Sequence, residues 1–254
     1  MALMKRDNSL GNHNRGHSFK PYQFLLVKLI YWFVSFRINL MSGKDAARFL
    51  MLLDSYLYHI QGTASIRYGN GIHTKHRHMK YHDFFTNRIQ MNEIVLDVGC
   101  GIGIVSNFVA KRCHAKVIGI DLSRSNIERA QAEFFHENII FIVGDALTDL
   151  PKERFDVVIL SNVLEHIDER VDFLKRINLT VSPKRLLIRV PQFERDWRVP
   201  LKKELGLDYR LDSTHYIEYT YESFKDEMDE AGLSIKYMEC RWGEIWAEVI
   251  PVDS

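Results

Sequence analysis

Cysteine is scarce in this sequence, and neither sign of charge dominates it. Cys100, Cys113 and Cys240 are an odd number of cysteines without zinc-finger spacing, so we expect no disulfide framework and a reducing, cytoplasmic location. Lysine and arginine number 34 against 33 acidic residues, and a net charge of +1 argues against a nucleic-acid partner. Hydrophobic residues make up 46% and charged residues 26%, as in globular domains.

No apolar run is long enough to predict a membrane-spanning helix. Residues 22–41 approach one bilayer in length, but Lys28 and Arg37 interrupt them, and each charge costs about 2.5–3.5 kcal/mol at the centre of a spanning helix. The uncharged part, 29–36, is too short to span. We expect residues 22–41 to form a helix docked on the domain, with peripheral membrane contact as the alternative. Residues 1–20 are polar and predict a disordered leader rather than a secretory signal.

The chain divides into a helical part, 21–90, and a domain with alternating strands and helices, 91–254. In the first part, Ser42 and Asp45 resemble a capping box at the start of a helical stripe, which Gly69-Asn-Gly interrupts. In the second, short apolar runs alternate with helical periodicity, which indicates a doubly wound α/β domain. The predicted strands are 94–98, 116–120, 139–143, 155–160, 185–190, 234–240 and 245–250. The predicted helices are 104–112, 125–135, 169–179 and 221–231.

The most specific motif is a glycine-rich loop, VLDVGCGIG, over residues 95–103. It follows a predicted strand and precedes a predicted helix, and its glycines allow a tight turn and the close approach of a ligand. Asp97 would repel a pyrophosphate and suits a ligand with a cationic amino group. Asp121 ends the second strand, where a carboxylate can accept both ribose hydroxyls, and Asp145 ends the third, where adenine could donate its amine. Residues 155–162 bring polar groups to the same edge of the sheet.

These motifs, in this order over residues 80–250, resemble the class I S-adenosylmethionine-dependent methyltransferases, a family with a Rossmann-like, seven-stranded sheet. The glycine loop, Gly144-Asp145-Ala146 and Ser161-Asn-Val-Leu-Glu-His166 match its motifs. The resemblance implies S-adenosylmethionine as cofactor, with its methionine end near Asp97 and Gly99. The implied cofactor-binding residues are Asp97, Gly99, Cys100, Gly101, Gly103, Asp121, Leu122, Asp145, Ala146 and Ser161.

The run from Asn162 to His166 leaves two chemistries open. It resembles the Glu-x-x-Glu-His metal site of ubiquinone-pathway O-methyltransferases and small-RNA 2′-O-methyltransferases, in which a divalent ion holds the acceptor oxygens. Asn162 replaces the first Glu of that site, and His215 could complete a ligand set with Glu165 and His166. Because Asn162 removes an anionic ligand, we favour metal-free acid–base catalysis by Glu165, His166 and His215 over a divalent metal on those residues and Asn162.

Two segments are expected to bind the methyl acceptor. The insertion 192–219 follows the fifth strand, where acceptor specificity is usually built, and its arginines match phosphate or carboxylate groups. The histidine-rich stretch 73–82 is interleaved with lysine and arginine, which would repel a metal. We expect it to form a lid over the cofactor that also contacts the acceptor. This stretch resembles a subgroup of bacterial methyltransferases from surface-polysaccharide and nucleotide-sugar gene clusters. The expected substrate-binding residues are His76, Arg77, Tyr81, His82, Arg195, Arg198 and Tyr209.

The expected function is therefore O-methylation of an anionic, phosphorylated or nucleotide-linked small molecule, such as a cell-surface polysaccharide precursor. A metal-assisted O-methyltransferase with a quinone-type, catechol-type or lipid acceptor is the alternative within the same fold. A methyltransferase-fold protein that binds its cofactor or a partner without chemistry is the alternative of another class. Asp97, Asp121 and Asp145 together argue against the last, because a retired pocket has no need of three carboxylates.

Overall fold

The computed structural model describes residues 21–252. Contacts between Cα atoms divide the chain into two compact units, one that ends at Leu50 and one that begins at Met51. The boundary between these units lies inside the second helix, and the expected division at residue 90 stays a prediction. The leader expected over residues 1–20 lies outside the described residues.

The first unit consists of α1 (Pro21–Ile38) and the beginning of α2 (Gly43–Tyr68). Ser42 caps α2, because its Oγ accepts the Asp45 N–H at 3.2 Å and donates to Asp45 Oδ2 at 2.7 Å. Most of the apolar side chains of α1 are exposed. None of the helices between residues 21 and 252 is long and apolar enough to cross a membrane. Docking and peripheral membrane contact of α1 both stay predictions.

The second unit contains a seven-stranded sheet in the order β3-β2-β1-β4-β5-β7-β6. The parallel strands are β1 (Ile94–Val98), β2 (Lys116–Asp121), β3 (Ile139–Val143), β4 (Val157–Ser161) and β5 (Arg185–Pro191), and the antiparallel strands are β6 (Leu233–Arg241) and β7 (Glu244–Pro251). The strand order reverses between β1 and β4, which is where open α/β sheets bind ligands. The predicted doubly wound fold and all its predicted strands are confirmed, with strand ends shifted by at most two residues.

Seven further helices accompany the sheet in the described part of the second unit. They are α3 (Thr74–Met79), α4 (His82–Thr86), α5 (Ile104–Cys113), α6 (Arg124–Glu133), α7 (Arg170–Val181), α8 (Arg198–Glu204) and α9 (Tyr221–Glu230). The insertion 192–219 holds α8 and a 3-10 turn, Phe193–Arg195, and a bridge between Gln192 and Tyr219 closes its ends. The acceptor insertion is therefore an ordered segment anchored to the end of β5.

The core explains why the parallel strands are mostly apolar on both faces. Val157 and Ile159 of β4 pack into one hydrophobic cluster, and Val158 and Leu160 pack into another on the opposite face. Each side chain is fully buried, and such burial contributes roughly 1.5–3 kcal/mol per residue. Because both faces of the sheet are covered, polar side chains that follow the strands gather at the carboxyl edge.

Candidate active site

The glycine loop between β1 and α5 turns at residues with positive φ, 54° at Gly101 and 79° at Gly103. A Cβ at Gly103 would lie 2.5 Å from the Phe141 ring, so packing requires this glycine. A Cβ at Gly101 would meet nothing within 4 Å, so the loop leaves open space for a ligand there. The Gly101 N–H donates to Asp121 Oδ2 at 2.8 Å, which fixes the loop against β2.

Asp97 is buried near the carboxyl end of β1, with 1% of its surface exposed. Its Oδ2 accepts the Ser106 hydroxyl proton at 2.6 Å, and burial raises the pKa of the carboxyl to about 7. None of the lysines, arginines and histidines in residues 21–252 forms an ion pair with it. A cationic group on a ligand would therefore find a buried carboxylate with no competing counter-charge.

Asp121 ends β2 and Asp145 follows β3, so both lie at the same edge of the sheet as Asp97. Asp121 Oδ1 accepts the Ser123 N–H at 2.9 Å, and Asp145 Oδ1 accepts the Leu147 N–H at 2.8 Å. A carboxylate has about four lone-pair sites, so both can still accept from a ligand. Leu122 is 74% exposed. We call the space beside Asp97 the cofactor-side cavity; its volume is about 180 Å³, and it is lined by Tyr81, Asp97, Gly99, Cys100, Ile102, Ile104, Val105, Ser161 and Arg189.

Arg189 on β5 is a charged lining residue that the sequence analysis missed. Its Nε donates to Asn162 Oδ1 at 2.9 Å, and its guanidinium carbon lies 4.1 Å from the centre of the Tyr81 ring. Its Nη1 is buried without a hydrogen-bond partner. An arginine inside the apolar run LLIRV was a signal for it, because arginine is rarely buried without a specific partner.

Glu165, His166 and His215 each offer one ligand atom, and the three atoms lie within 4.8 Å of one another. Glu165 and His166 lie in a 3-10 turn, Leu164–His166, directly after β4, and His215 lies in the insertion. Both oxygens of Glu165 are buried without a partner, and burial raises the pKa of this carboxyl to about 8. His166 Nδ1 lies 2.9 Å from Thr214 Oγ1. One carboxylate and two imidazoles are a donor set that suits a divalent cation.

A second, larger space of about 370 Å³ lies at the same edge of the sheet. We call it the acceptor cavity, because Arg195, Arg198 and Tyr209, which are predicted to bind the acceptor, line it. Its lining includes Tyr58 from α2, Tyr209 from the insertion and Trp242 from the β6–β7 turn. Each of its lysines and arginines has a carboxylate within 4 Å. The pairs are Lys75 with Glu244 at 3.0 Å, Arg195 with Glu218, Arg198 with Asp196 at 2.6 Å, Lys202 with Asp54 at 2.9 Å and Arg210 with Asp208 at 3.0 Å.

The histidine-rich stretch lies beside both cavities, and its role as a lid over the cofactor that also contacts the acceptor stays a prediction. Tyr81 lines the cofactor-side cavity, and the His82 ring stacks on Phe108 at 4.1 Å, where burial lowers the pKa of its imidazole to about 4. His76 and Arg77 are exposed. Of the predicted substrate-binding residues, Arg195, Arg198 and Tyr209 line the acceptor cavity.

The acceptor cavity is connected to the cofactor-side cavity through a chain of ion pairs, and to the pocket beside His166 and His215 through a shared lining residue. Lys75 lines the acceptor cavity and binds Glu244, whose Oε2 lies 3.4 Å from Nε of Arg189 in the cofactor-side cavity. Arg210 lines both the acceptor cavity and the pocket that contains His166 and His215. Three features therefore lie at the carboxyl edge of the sheet. They are the glycine loop, the three possible cation ligands and the cavity lined by aromatic side chains.

Comparison with known proteins finds similarity over part of the chain. Residues 96–188 match a family described as a methyltransferase domain. The chain is 35% identical over 119 residues to a ubiquinone biosynthesis O-methyltransferase of Bradyrhizobium diazoefficiens, covering 46% of each chain. It is 30% identical over 117 residues to the enzyme of that name from Rhodopseudomonas palustris, covering 45% of this chain and 46% of that one. The chain therefore spans about half the length of the curated relatives it matches.

Solved structures show the same fold. The magnesium protoporphyrin IX methyltransferase of Synechocystis, solved with bound S-adenosylhomocysteine, has a TM-score of 0.55 at 19% identity, covering 68% of this chain and 83% of that one. An S-adenosylmethionine-dependent methyltransferase of Corynebacterium glutamicum has a TM-score of 0.50 at 17% identity, covering 75% and 99%. The strand order and these likenesses establish the Rossmann-like methyltransferase fold.

Proposed function

We propose that this protein is an S-adenosylmethionine-dependent O-methyltransferase whose acceptor is a neutral aromatic hydroxyl compound of the quinol or catechol type. The match of residues 96–188 to a methyltransferase-domain family supports the reaction. The choice of a neutral acceptor rests on one observation: every lysine and arginine that lines the acceptor cavity is paired with a carboxylate. An anionic acceptor would have to displace a carboxylate from one of these pairs, whereas a neutral aromatic ring can pack against Tyr58, Tyr209 and Trp242.

This acceptor differs from the anionic one expected from the arginines of the insertion. Arg195 is held by Glu218 and donates to the Tyr209 carbonyl oxygen at 3.0 Å, so it anchors the insertion. Arg198 bonds both Asp54 and Asp196. The relatives named above act in ubiquinone biosynthesis by their names, and the expected resemblance to polysaccharide-cluster methyltransferases finds no support among them.

The cofactor-side residues fit S-adenosylmethionine. The open space at Gly101 lets the ligand approach the backbone, Asp97 offers a carboxylate to its amino group, and Asp121 offers one to its ribose. When bound, the cofactor supplies a methyl group activated on a sulfonium. Methyl transfer is an in-line displacement, so the chain has to align the acceptor oxygen with that methyl group and remove the acceptor proton.

Glu165, His166 and His215 also fit a divalent cation, which when bound would lower the pKa of the acceptor hydroxyl and orient it. The structure gives a reason to favour this over the metal-free chemistry expected from Asn162. Asn162 Oδ1 already accepts from Arg189, and Glu165 is left with two buried oxygens that have no donor. Thr214 holds the His166 ring at 2.9 Å, so the set is oriented before any ligand arrives.

Acceptor charge is tested by turnover with a catechol compared with a phosphorylated sugar, at salt concentrations from about 50 to 500 mM. We expect catechol methylation with a KM that changes less than about twofold with salt, because no net charge is recognised. Tyr58→Ala should raise this KM several-fold, and Tyr56→Ala, two positions away on α2 and outside the cavity, should not. Preference for the phosphorylated acceptor with a steep salt dependence would refute the neutral acceptor, and no release of S-adenosylhomocysteine from any hydroxyl acceptor would refute the enzyme.

A further inference from the structure

Helix α1 carries a stripe of exposed apolar side chains. Leu26, Leu29, Ile30 and Phe33 each have more than half of their surface exposed. Their spacing of i, i+3, i+4 and i+7 places them side by side along one face of the helix. A continuous apolar surface of this kind marks a site that a membrane or a partner covers. The composition of the rest of the helix distinguishes between these two.

The opposite face of α1 is aromatic and cationic. Lys28, Tyr31, Trp32 and Ser35 have the same spacing as the apolar stripe, two positions later, which is about 200° around the helix. The rings of Tyr31 and Trp32 meet edge to face with their centres 6.2 Å apart, and both side chains are exposed. Tyrosine, tryptophan and lysine beside an apolar stripe are typical of helices that lie at the level of lipid headgroups.

The charge around α1 has one sign. Residues 8–44 contain five lysines and arginines but no aspartate or glutamate. A second copy of this helix would bring the same positive charges, so contact between two copies would place like charges together. The surface of a bilayer with anionic phospholipids is negative, and each lysine or arginine near it strengthens binding by about fivefold. Charge complementarity therefore favours an anionic lipid surface as the occupant of the stripe.

We infer that α1 binds the surface of a bilayer that contains anionic phospholipids. The apolar stripe lies among the acyl chains, and Lys28, Tyr31 and Trp32 lie among the headgroups. The helix lies along the surface, because Lys28 is near the middle of α1 and a charge at the centre of a bilayer is costly. Arg37 is in the last turn, where its long side chain can reach the headgroups. Binding of this kind is independent of the proposed methyl transfer, because it involves α1 alone.

The test is co-sedimentation of the full-length protein with vesicles of phosphatidylcholine and phosphatidylglycerol in equal parts, compared with vesicles of phosphatidylcholine alone. The wild-type protein should bind the mixed vesicles at least about tenfold more tightly. Lys28→Gln should lower the affinity for mixed vesicles by about fivefold and leave the affinity for neutral ones within about twofold. Lys225→Gln, which removes an exposed lysine from α9, is its control and should change neither.

The apolar stripe is tested by Ile30→Ser combined with Phe33→Ser, which should lower the affinity for mixed vesicles by at least about tenfold. The matched control is Ile140→Ser combined with Phe135→Ser, since both of these side chains are exposed outside α1. Brominated lipids should quench the tryptophan fluorescence of the wild-type protein more than that of Trp32→Phe.

The contrary outcomes are distinct. If the wild-type protein does not bind mixed vesicles, or binds neutral ones equally well, the anionic lipid surface is overturned. Equal binding by the wild-type protein and the Ile30→Ser, Phe33→Ser variant would assign the binding to another surface. A wild-type dimer that this variant dissociates, together with no vesicle binding, would show that a second copy covers the stripe. Thermal unfolding without vesicles should be the same in the variant and the wild-type protein, because the replaced side chains are exposed.

Discussion

The two cavities at the carboxyl edge differ in whether their charged lining residues are paired within the protein. In the acceptor cavity, Lys75, Arg195, Arg198, Lys202 and Arg210 all have carboxylate partners within 4 Å. In the cofactor-side cavity, Asp97 forms no ion pair with any of the described residues, and Arg189 shares Glu244 with Lys75. Charges that are already paired within the protein leave a surface suited to a neutral ligand, whereas buried charges that lack partners are suited to a charged one.

Glu165 also lies at this edge of the sheet, but it differs from the paired charges of the acceptor cavity. It is fully buried, yet neither of its oxygens has a hydrogen-bond partner. Burial raises the pKa of Glu165 more than the nearby charge of Arg189 lowers it, so a cation in direct contact with the carboxylate would stabilise its ionised form. His166 and His215 converge on this point and supply the other donors that a divalent cation needs. Three predictions test this contrast, from the largest expected effect to the smallest.

The largest effect is expected at Glu165. Glu165→Gln should lower turnover by about 10²- to 10⁴-fold, because it removes the one anionic ligand of the cation or, without a cation, the buried base. The affinity for S-adenosylhomocysteine should stay within about twofold, since Glu165 does not line the cofactor-side cavity. EDTA should abolish turnover of the wild-type protein, and Mg²⁺ or Mn²⁺ should restore it.

Glu222→Gln, an exposed carboxylate on α9, is the control for the loss of a charge. Direct titration with Mn²⁺ should show binding to the wild-type protein and to Glu222→Gln but not to Glu165→Gln. Turnover that ignores EDTA while Glu165→Gln is inactive would return the site to the metal-free acid–base chemistry favoured by the sequence. Full activity of Glu165→Gln would exclude both interpretations.

The cofactor side could be predicted from the sequence because its groups follow their strands directly. Asp97 lies in a β1 predicted over 94–98 and found over Ile94–Val98, and Asp121 ends β2. Strands buried on both faces give continuous apolar runs, so their carboxyl ends are visible in the sequence. Arg189 has no such local pattern beyond its apolar surroundings, since its environment comes from Tyr81, Asn162 and Glu244.

The acceptor side was less predictable because its contacts join distant parts of the chain. Lys75 meets Glu244 across 169 positions, and Arg198 meets Asp54 across 144. An unpaired arginine and a paired one look the same in a sequence, so the insertion suggested an anionic acceptor. Helix α8 was missed for a related reason: Arg198–Glu204 is short and mostly charged, with little helical apolar periodicity.

A smaller effect is expected at Asp121. We expect Asp121→Asn to weaken binding of S-adenosylhomocysteine by about ten- to a hundredfold, because the ribose hydroxyls lose a charged acceptor. Asparagine is preferred to alanine here, since Asp121 also accepts from Gly101 and Ser123 and its removal would loosen the glycine loop. Asp229→Asn is the control, because Asp229 is an exposed carboxylate on α9 that does not line the cofactor-side cavity. Unchanged affinity in calorimetry would contradict the ribose assignment of Asp121.

The smallest effect is a pH dependence that originates at Asp97. Burial raises the pKa of this carboxyl to about 7, so in the ligand-free protein it gains a proton as the pH falls towards 6. The ammonium group of the ligand needs the charged form, so lowering the pH from about 7.5 to 6 should weaken binding of S-adenosylhomocysteine by about tenfold, with proton release on binding.

The same group should affect the stability of the ligand-free protein in the opposite direction. Its folded pKa lies above the ordinary value of 3.8, so its stabilising contribution is complete below about pH 4 and is lost as the pH rises through about 7. Asp97→Asn should therefore remove the pH dependence of affinity and flatten the fall in stability between pH 4 and 7, while Asp226→Asn, exposed on α9, should change neither. Calorimetry in buffers with different ionisation enthalpies measures the proton release, and thermal unfolding measures the stability. An affinity that is constant from pH 6 to 7.5 in the wild-type protein would mean that a cation already neutralises Asp97, and the contrast between the two cavities would then disappear.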